Sequence, residues 1–401
     1  MKRTMTGKRM IYIVMALMLS CLMFCTSRQE VQAASSAETM ADISVKLLRQ
    51  AARTGDPDRN ILISPDSILT AMTLAEYGAA GKTLSEMQSA FNGISLKKQS
   101  SFLEKLHSRV SSSGVFTYSA ANSVWYRKGL VSLKRKYASK MKKGFGAEII
   151  SAPFDTGTVT DMNAWVSEKT RGKITKIVDQ LSPSDRVVLL NAVYFNGKWT
   201  APYRSVQKRV FTGKNGKKKK VPMLESVEQV YVKICGADGF IKPYKGGKAA
   251  FMALLPPKGE AIGTWLKKLT GAQLIKGYRN RVKSGIVVRT RLPKLSYDDQ
   301  LSLKKPLQKM GIREAFSFNA DFSKMSGSEI HIDDVLHKTH IDVDESGTEA
   351  AAVTAVVMKA NAVFPAKPQI IKKIYLNRPF VYAIIDTQTG MPLFMGIVNG
   401  F

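Results

Sequence analysis

Helical and strand patterns are unevenly distributed along this chain. Apolar residues recur at helical spacing mainly early, whereas β-branched runs bounded by turn residues dominate later. The predicted helices are Ala37–Arg53, Pro65–Tyr77, Lys98–Val110, Leu133–Phe145, Thr158–Thr170, Ile262–Thr270 and Leu303–Met310. The predicted strands are Asn60–Ser64, Ser119–Tyr126, Val187–Phe195, Val221–Glu225, Val227–Ile234, Ala249–Leu255, Gly285–Leu292, Tyr375–Ile385 and Leu393–Val398. Because helices and strands do not alternate regularly, this order predicts an α+β fold.

The composition and the connections favour a single globular unit. Of the 401 residues, 44% are hydrophobic and 23% are charged, which excludes disorder throughout the chain. No repeat of fixed period and no long Gly-, Ser- or Pro-rich linker interrupts the sequence. We therefore expect one domain over residues 34–401.

Residues 1–33 have the plan of a secretory signal peptide. Four basic residues within the first nine precede an apolar run from Met10 to Phe24, which is short for a membrane span. Val31-Gln32-Ala33 offers small residues for cleavage and leaves Ala34 as the new terminus. We predict a secreted, extracellular protein. The alternatives are an uncleaved anchor or a lipid on Cys21 or Cys25, either of which would hold it at the cell surface.

The exported chain would be strongly basic and would have one cysteine. The full chain has a net charge of +30, and residues 1–33 contain five basic residues and one acidic residue, so +26 remains. Cys235 is then the only cysteine, which excludes an intrachain disulfide, so stability must come from the core. We expect no cofactor and a monomer.

Two basic stretches could bind anionic partners such as cell-surface polymers. The first, which we favour as a polyanion site, contains Lys134, Arg135, Lys136, Lys140, Lys142 and Lys143. The second, Lys217–Lys220, follows two glycines and is interpreted as a solvated hairpin tip. Neither has the interleaved aromatic residues of a single-strand nucleic-acid platform, so we predict no specific nucleic acid. The alternative is that the charge serves only solubility.

The sequence gives little support for an enzyme. The chain has no G-x-S-x-G, H-E-x-x-H or C-x-x-C motif, and nothing proposes a Ser-His-Asp site among its four histidines. His337 and His340 have the spacing of helix-borne metal ligands, but their flanks are typical of a strand, which would place them on opposite faces. We therefore predict no catalytic residues and no metal site.

Residues 345–368 do not match a polar loop or a helix. Counted as a strand from Thr348, one face would be formed by Thr348, Ala350, Ala352, Thr354 and Val356, and the other by Glu349, Ala351, Val353 and Ala355. The single charge, on Glu349, lies on the second face. A strand of this kind could enter a sheet core without burying a charge. A buried helix over Thr348–Val357 is the alternative, which the β-branched content disfavours.

The segment Glu345-Ser346-Gly347-Thr348-Glu349-Ala350-Ala351-Ala352 combines a glycine with a run of small residues. Seven further segments stand at ordered places in the chain: Asn60–Pro65 with Ser67, Leu190–Phe195 continuing through Gly197, Lys198 and Trp199, Leu292–Leu295, Ala320–Ser323, His337–Lys338, Asn377–Phe380 and Pro392–Gly396. In these segments and their order the chain resembles the serpin family, in the form of a secreted, bacterial-type member, and the first segment is similar to the family's hinge. So many ordered matches exclude chance.

The resemblance implies a fold of three β-sheets and eight or nine helices with an exposed reactive-centre loop, about residues 345–368. It also implies irreversible inhibition of serine-type, or cysteine, proteases by insertion of the cleaved loop into the main sheet. The family's register places the cut between Asn361 and Ala362. Lys359-Ala360 is an alternative bond for trypsin-like proteases, and Val357, Met358 and Phe364 are alternatives for elastase- or chymotrypsin-like ones.

The resemblance also assigns residues that keep the main sheet closed. Ser64, Ser67 and Asn191 are expected in polar contacts of the shutter, and Trp199 and His337 near the upper entry, the breach. Gly347 is expected to permit a bend at the pivot of the hinge. The competing functions are a non-inhibitory serpin that acts as a carrier, chaperone or polyanion-binding protein, and a hydrolase with an unrecognised site.

Overall fold

The computed structural model describes residues 36–111, 116–348 and 370–401. This part of the chain contains nine α-helices, α1 to α9, which are 36–51, Pro65–Gly78, Gly81–Ala90, Leu96–Ser111, Arg135–Phe145, Thr156–Lys169, Ile262–Lys268, Gly271–Arg279 and Lys304–Lys309. A 3₁₀ turn follows at Glu314–Phe316. No helix within these ranges is long and apolar enough to cross a membrane.

The same ranges contain sixteen strands, β1 to β16. In chain order they are Ile61–Ile63, Phe116–Arg127, Glu148–Ala152, Val187–Lys198, Ser205–Thr212, Lys218–Glu228, Tyr231–Ile234, Ala237–Pro243, Ala249–Leu255, Ile286–Pro293, Leu295–Ser302, Asp334–Val343, Gly347–Thr348, Ile370–Tyr375, Phe380–Asp386 and Pro392–Val398. All seven helices predicted from the sequence begin within two residues of the observed start.

The strands form three sheets, which confirms the predicted α+β architecture. The main sheet has the order β11-β12-β13-β4-β2-β3. A second six-stranded sheet has the order β1-β16-β15-β9-β8-β7, and a four-stranded sheet has the order β14-β10-β6-β5. One large apolar cluster, from Ala37 to Val398, packs the helices and sheets together.

Helix α2 occupies the centre of this core, behind the main sheet. Its start follows from local sequence, since the Ser64 side chain caps the N–H of Ser67 and Pro65 occupies the first turn. Thirteen of its fourteen residues are buried, and it contacts β4, β2 and β16. The start of α2 therefore lies where the main sheet and the second sheet meet.

Three strand predictions are wrong in their bounds. The predicted strand Tyr375–Ile385 is two strands in different sheets, β14 beside β10 and β15 beside β9. The break falls at Asn377-Arg378-Pro379, where proline cannot donate a ladder hydrogen bond. Val221–Glu225 and Val227–Ile234 regroup as β6, which continues through Glu228, followed by the short β7.

Candidate functional site

The upper part of the main sheet already contains the start of the hinge. Strands β4 and β12 pair directly from Val188–Val193 to Asp334–Thr339. Above this stretch they separate, and β13 lies between them: Thr348 pairs with Val343 on one side and with Gly197 on the other. We expected insertion from Gly347 only after the chain is cut, but two residues occupy the sheet in the uncut chain.

Gly347 is required by a close approach of two backbones. A Cβ on this residue would lie 2.3 Å from the carbonyl oxygen of Gly197 and 2.9 Å from the Cα of Lys198. We expected Gly347 to permit a bend, but its φ angle is not positive. The close approach of the two backbones is therefore the main reason for a glycine at this position. The turn before it is held by Asp344, whose Oδ1 accepts from the backbone N–H of Ser346 (2.8 Å) and of Gly347 (3.0 Å).

Thr348 fills a closed pocket in the sheet. Its side chain is 1% exposed, and its hydroxyl is hydrogen-bonded to that of Tyr244 at 2.5 Å. Tyr244 stacks on Trp199 with ring centroids 4.5 Å apart. Trp199 in turn donates from Nε1 to the Asp344 carbonyl (3.0 Å) and from its backbone N–H to that of Ser346 (2.9 Å). Trp199 therefore lies at the upper entry, against the hinge turn.

Glu345 links the hinge to the four-stranded sheet. Its carboxylate pairs with Lys294, which directly follows β10, at 2.6 Å, and both side chains are partly exposed. Its carbonyl accepts from the N–H of Tyr203 at 2.8 Å. Burial raises the pKa of Glu345, but the Lys294 ammonium outweighs this and holds the pKa below its usual value.

The directly paired part of β4 and β12 carries a buried polar network, which joins Ser64, Ser67, Asn191 and His337. Asn191 donates from Nδ2 to Asn122 Oδ1 (2.6 Å), to the Ser67 carbonyl (3.1 Å) and to the Ser67 hydroxyl. His337 Nδ1 lies 2.5 Å from Asn191 Oδ1. The Ser64 hydroxyl donates to the Leu393 carbonyl of β16 at 2.8 Å. These contacts tie α2 and β16 to the two central strands.

We expected His337 near the upper entry, but it lies lower in the main sheet. It pairs with Asn191 in the ladder, six positions below the Gly197 that contacts Thr348. Its Nε2 accepts from the Ser64 N–H at 3.0 Å, so the proton is on Nδ1 and is donated to Asn191. Complete burial lowers the pKa of His337 to about 3, so the ring is neutral at physiological pH.

A second buried cluster adjoins this network and was missed from the sequence. Asp66, which is fully buried, contacts His107 Nε2 at 2.9 Å and accepts from the Tyr118 hydroxyl at 2.5 Å. Burial lowers the pKa of His107, but the Asp66 carboxylate outweighs this and raises it above the usual value. The available signal was an acidic residue close to the capping Ser64, at the start of a helix whose following residues are mostly apolar.

His337 and His340 do not share a face of β12. Burial alternates along β12, with His337 in the core and His340 on the opposite face, which confirms the prediction that they point apart. His340 bonds Asp298 (2.5 Å) and Asp342 (2.7 Å). In residues 36–111, 116–348 and 370–401, no group of three or more His, Cys, Asp or Glu residues is arranged to hold a metal ion.

Some predicted residues lie outside the described part of the chain. They are the signal segment 1–33, the hinge residues Glu349, Ala350, Ala351 and Ala352, and the reactive-bond candidates Val357, Met358, Lys359, Ala360, Asn361, Ala362 and Phe364.

The predicted polyanion residues lie on and just before α5. Tyr137 and Met141 are its buried residues, and the cations Lys134, Arg135, Lys136, Lys140, Lys142 and Lys143 are exposed. Lys140 lies over the ring of Tyr77 at 4.0 Å. The second basic stretch lies in the hairpin of β5 and β6, as predicted. Lys217 is in the turn, where its carbonyl accepts from the Gly213 N–H, and Lys218–Lys220 begin β6.

Comparisons with known proteins agree with this geometry. The family model described as Serpin (serine protease inhibitor) matches residues 38–400. Iripin-8 of Ixodes ricinus is 32% identical over 355 residues, which cover 85% of this chain and 88% of that protein. Intracellular coagulation inhibitor 2 of Tachypleus tridentatus is 32% identical over 85% of this chain and 86% of its own length.

The fold of this chain is also similar to that of solved structures. The native state of tengpin, a thermophilic serpin, superposes with a TM-score of 0.84 at 35% identity and covers 91% of this chain and 94% of tengpin. A complex of thyroxine-binding globulin with thyroxine has a TM-score of 0.79 at 24% identity, over 91% of this chain and 98% of the globulin, and shows the fold alone.

Proposed function

The chain belongs to the serpin family, and we propose that it is an irreversible suicide-substrate inhibitor of serine-type proteases, cysteine proteases being the secondary possibility. Serpins typically inhibit proteases and do not act as catalysts. The observation that carries the proposal is the position of β13, because Gly347 and Thr348 already occupy the gap between β4 and β12 where a longer inserted strand would continue.

The strand geometry supports a mechanism by which the protease would be held as a covalent acyl-enzyme. A protease serine attacks the loop carbonyl, proposed at Asn361 with Lys359 as the alternative, and forms an acyl-enzyme. The released loop then extends β13 downward between β4 and β12, and most added residues gain a backbone hydrogen bond worth about 1 kcal/mol. Over about a dozen residues the gain exceeds ~10 kcal/mol. A displacement of about 1 Å in the attached active site can slow deacylation about a hundredfold.

The second candidate function is a non-inhibitory serpin. It is favoured by the likeness of the fold to thyroxine-binding globulin, which is solved with thyroxine bound. Such a protein could act as a carrier, chaperone or polyanion-binding protein without trapping a protease. The two functions differ in one observable, since only the inhibitor forms a covalent product.

The test is a panel of serine and cysteine proteases mixed with the full chain and separated on denaturing gels. We expect at least one protease to give a band at the summed mass of the protease and the large serpin fragment. Mass spectrometry of the small released fragment then identifies the cleaved bond. Cleavage by several proteases without any covalent band would support the non-inhibitory function instead.

We further propose that the protein is exported, monomeric and able to bind polyanions through α5. The support is the signal-peptide pattern of residues 1–33 and the row of exposed cations on α5. The relatives described above come from Ixodes ricinus and Tachypleus tridentatus, so the bacterial-type assignment rests on the sequence resemblance alone.

Heparin chromatography tests the α5 site. Replacing Lys136, Lys140 and Lys143 by glutamine should lower the salt concentration needed for elution more than replacing Lys217, Lys218 and Lys219, because bound counterions are released where the polymer contacts the protein. Equal retention of both variants and the parent would contradict the site.

A further inference from the structure

The outer face of the four-stranded sheet carries a strip of apolar and basic side chains. Strand register places Arg289 of β10 between Val227 of β6 and Lys373 of β14, and places Val287 beside Ile371. These five residues, which we call the outer strip, share one face because side chains alternate along a strand. The intervening residues Ile286, Val288 and Thr290 face the core and are buried.

The apolar residues of the outer strip are unusually exposed. Val227 is 62% exposed and Ile371 is 55% exposed. Val206, Val210 and Ile370 of the same sheet are also exposed, but strand register places them on the opposite face. Single exposed apolar residues are ordinary, whereas two that flank a pair of exposed cations on one face are typical of a protein interaction surface.

The basic residues of the outer strip lack acidic partners in the described part of the chain. The nearby Glu225 is occupied, since it pairs with Arg209 (3.3 Å) and with Arg291 (3.0 Å). Arg289 and Lys373 are exposed ladder neighbours, and neither forms an ion pair within the described residues. Like charges side by side on a sheet slightly disfavour folding, so this pair is better explained by an external anionic partner.

The position of the outer strip connects it to the proposed reactive loop. The described chain stops at Thr348 and resumes at Ile370, the first residue of β14. On the other side, Lys294 at the end of β10 pairs with Glu345 of the hinge. The carboxyl end of segment 349–369 therefore continues into this sheet, while its amino end follows Thr348 of the main sheet. Because Ile370 directly precedes Ile371 of the outer strip, a protein bound to the segment near that end would lie beside the strip.

We propose that the outer strip is an accessory docking surface for the target protease, and that it selects a protease with acidic groups beside its active-site cleft. The inference rests on the proposed inhibitory function. It adds a preference for the surface charge of the protease, which the residues at the cleaved bond do not determine. Rim charges of this kind act mainly on the association rate and its salt dependence. Val227 and Ile371 supply apolar contact next to the two cations.

The test compares anionic and cationic trypsin, which share cleavage specificity but differ in surface charge. Both are used with the catalytic serine replaced by alanine, and their binding to the immobilised full chain is measured at low salt. We expect the parent to bind anionic trypsin about tenfold more tightly. The double variant Arg289→Glu/Lys373→Glu should lose this preference, and Arg289→Gln/Lys373→Gln should lose part of it.

The matched control is Lys218→Glu/Lys219→Glu, which makes the same charge change at the far hairpin of the same sheet, and it should keep the preference. Equal losses in both variants, or no preference in the parent, would overturn the proposal. Loss of heparin binding with unchanged trypsin binding would show a polyanion site instead. Active trypsins on denaturing gels test the trap separately, because a missing covalent band leaves the binding comparison intact.

Discussion

The upper and lower halves of the main sheet use the same two strands in different ways. In the lower half, β4 and β12 are direct neighbours, whereas in the upper half the two hinge residues of β13 separate them. The upper contacts are an aromatic stack and one hydroxyl pair around Thr348. The lower contacts are a fully buried polar network around Asn191 and His337. For the proposed insertion, β4 and β12 are already separated in the upper half, whereas in the lower half they would have to be parted.

This difference indicates where the barrier to insertion lies. Each residue that follows Thr348 into the sheet must part another pair of the β4–β12 ladder. The contact between Asn191 and His337 lies in that ladder and is reached after about six residues of insertion. Because buried hydrogen bonds are costly to leave unpaired, this network should set the step that controls insertion.

The largest expected effect comes from a charge at the upper half. In Thr348→Arg, a guanidinium would replace a side chain that is 1% exposed, and leaving a buried charge unpaired costs several kcal/mol. Proteases should cleave this variant without being trapped, and the number of inhibitor molecules used per protease should rise at least about tenfold. Titration of protease activity measures this number.

The control for this variant is Thr348→Ser, which keeps the hydroxyl that contacts Tyr244. It should inhibit like the parent. Undiminished inhibition by Thr348→Arg would contradict insertion of the hinge as the trapping step.

The next effect concerns the lower half. Asn191→Ala would leave the Nδ1–H of His337 and the side-chain Oδ1 of Asn122 unpaired inside the core. We expect a loss of about 3 kcal/mol, equivalent to a fall in melting temperature of about 4 °C. The difference between uncut and nicked protein should also grow, because the inserted form no longer relies on this ladder pair.

Asn196→Ala is the matched control, since Asn196 is on the same strand but is only partly buried and bonds the Tyr194 hydroxyl. It should shift the melting temperature little. Equal shifts in the two variants would show that the lower network does not hold the sheet closed.

A smaller effect is the pH dependence of two histidines with opposite signs. The pKa of His337 is about 3, so the unfolded chain binds a proton that the folded chain does not, and stability is lost as pH falls from about 6.5 toward 3. The pKa of His107 is raised, so its contribution is present below about 6.5 and is lost as pH rises through the folded pKa. Asp66 and Glu104 are the acidic groups that act on His107.

Melting temperatures between pH 4 and 8 separate the two histidines. His337→Gln should flatten the loss of stability below about pH 6.5, and His107→Gln should remove the loss that develops as pH rises above about 6.5, each by up to about 1 kcal/mol per pH unit. The same change of slope in both variants would contradict the assignment of opposite signs.

The smallest effect is expected at the hinge ion pair. Lys294→Gln removes a contact between partly exposed groups, which contributes less than about 1 kcal/mol and is screened by salt. The melting temperature should fall by about 1 °C at low salt and less at high salt, while Lys283→Gln, a change at an exposed lysine, should have no effect. A fall in melting temperature as large as that of Asn191→Ala would show that contacts in the upper half contribute as much to holding the main sheet closed as the lower network does.

Local patterns predicted much of the site. Alternation from Thr348 assigned it to the inward face, and the strand flanks of His337 and His340 placed them on opposite faces. The cap at Ser64 and the proline after it correctly gave the start of α2. Each of these features depends on neighbours in sequence, so periodicity and capping rules were sufficient.

Other features depend on contacts between distant segments. The place of Thr348 in the main sheet involves its hydroxyl contact with Tyr244, which is 104 positions away. The cluster of Asp66, His107 and Tyr118 joins two helices and a strand. Strand β5 was missed because its sequence is largely polar, and pairing with β6 holds it extended. No local pattern contains this information.

The last two strands have a consequence for the fate of a cut molecule. Strands β15 and β16 are interior members of the second sheet, between β9 and β1, and every residue in them is buried. A break at Asn361 would separate them covalently from the rest of the chain without freeing them. The nicked protein should thus migrate as one particle in native chromatography and as two polypeptides only once it is denatured.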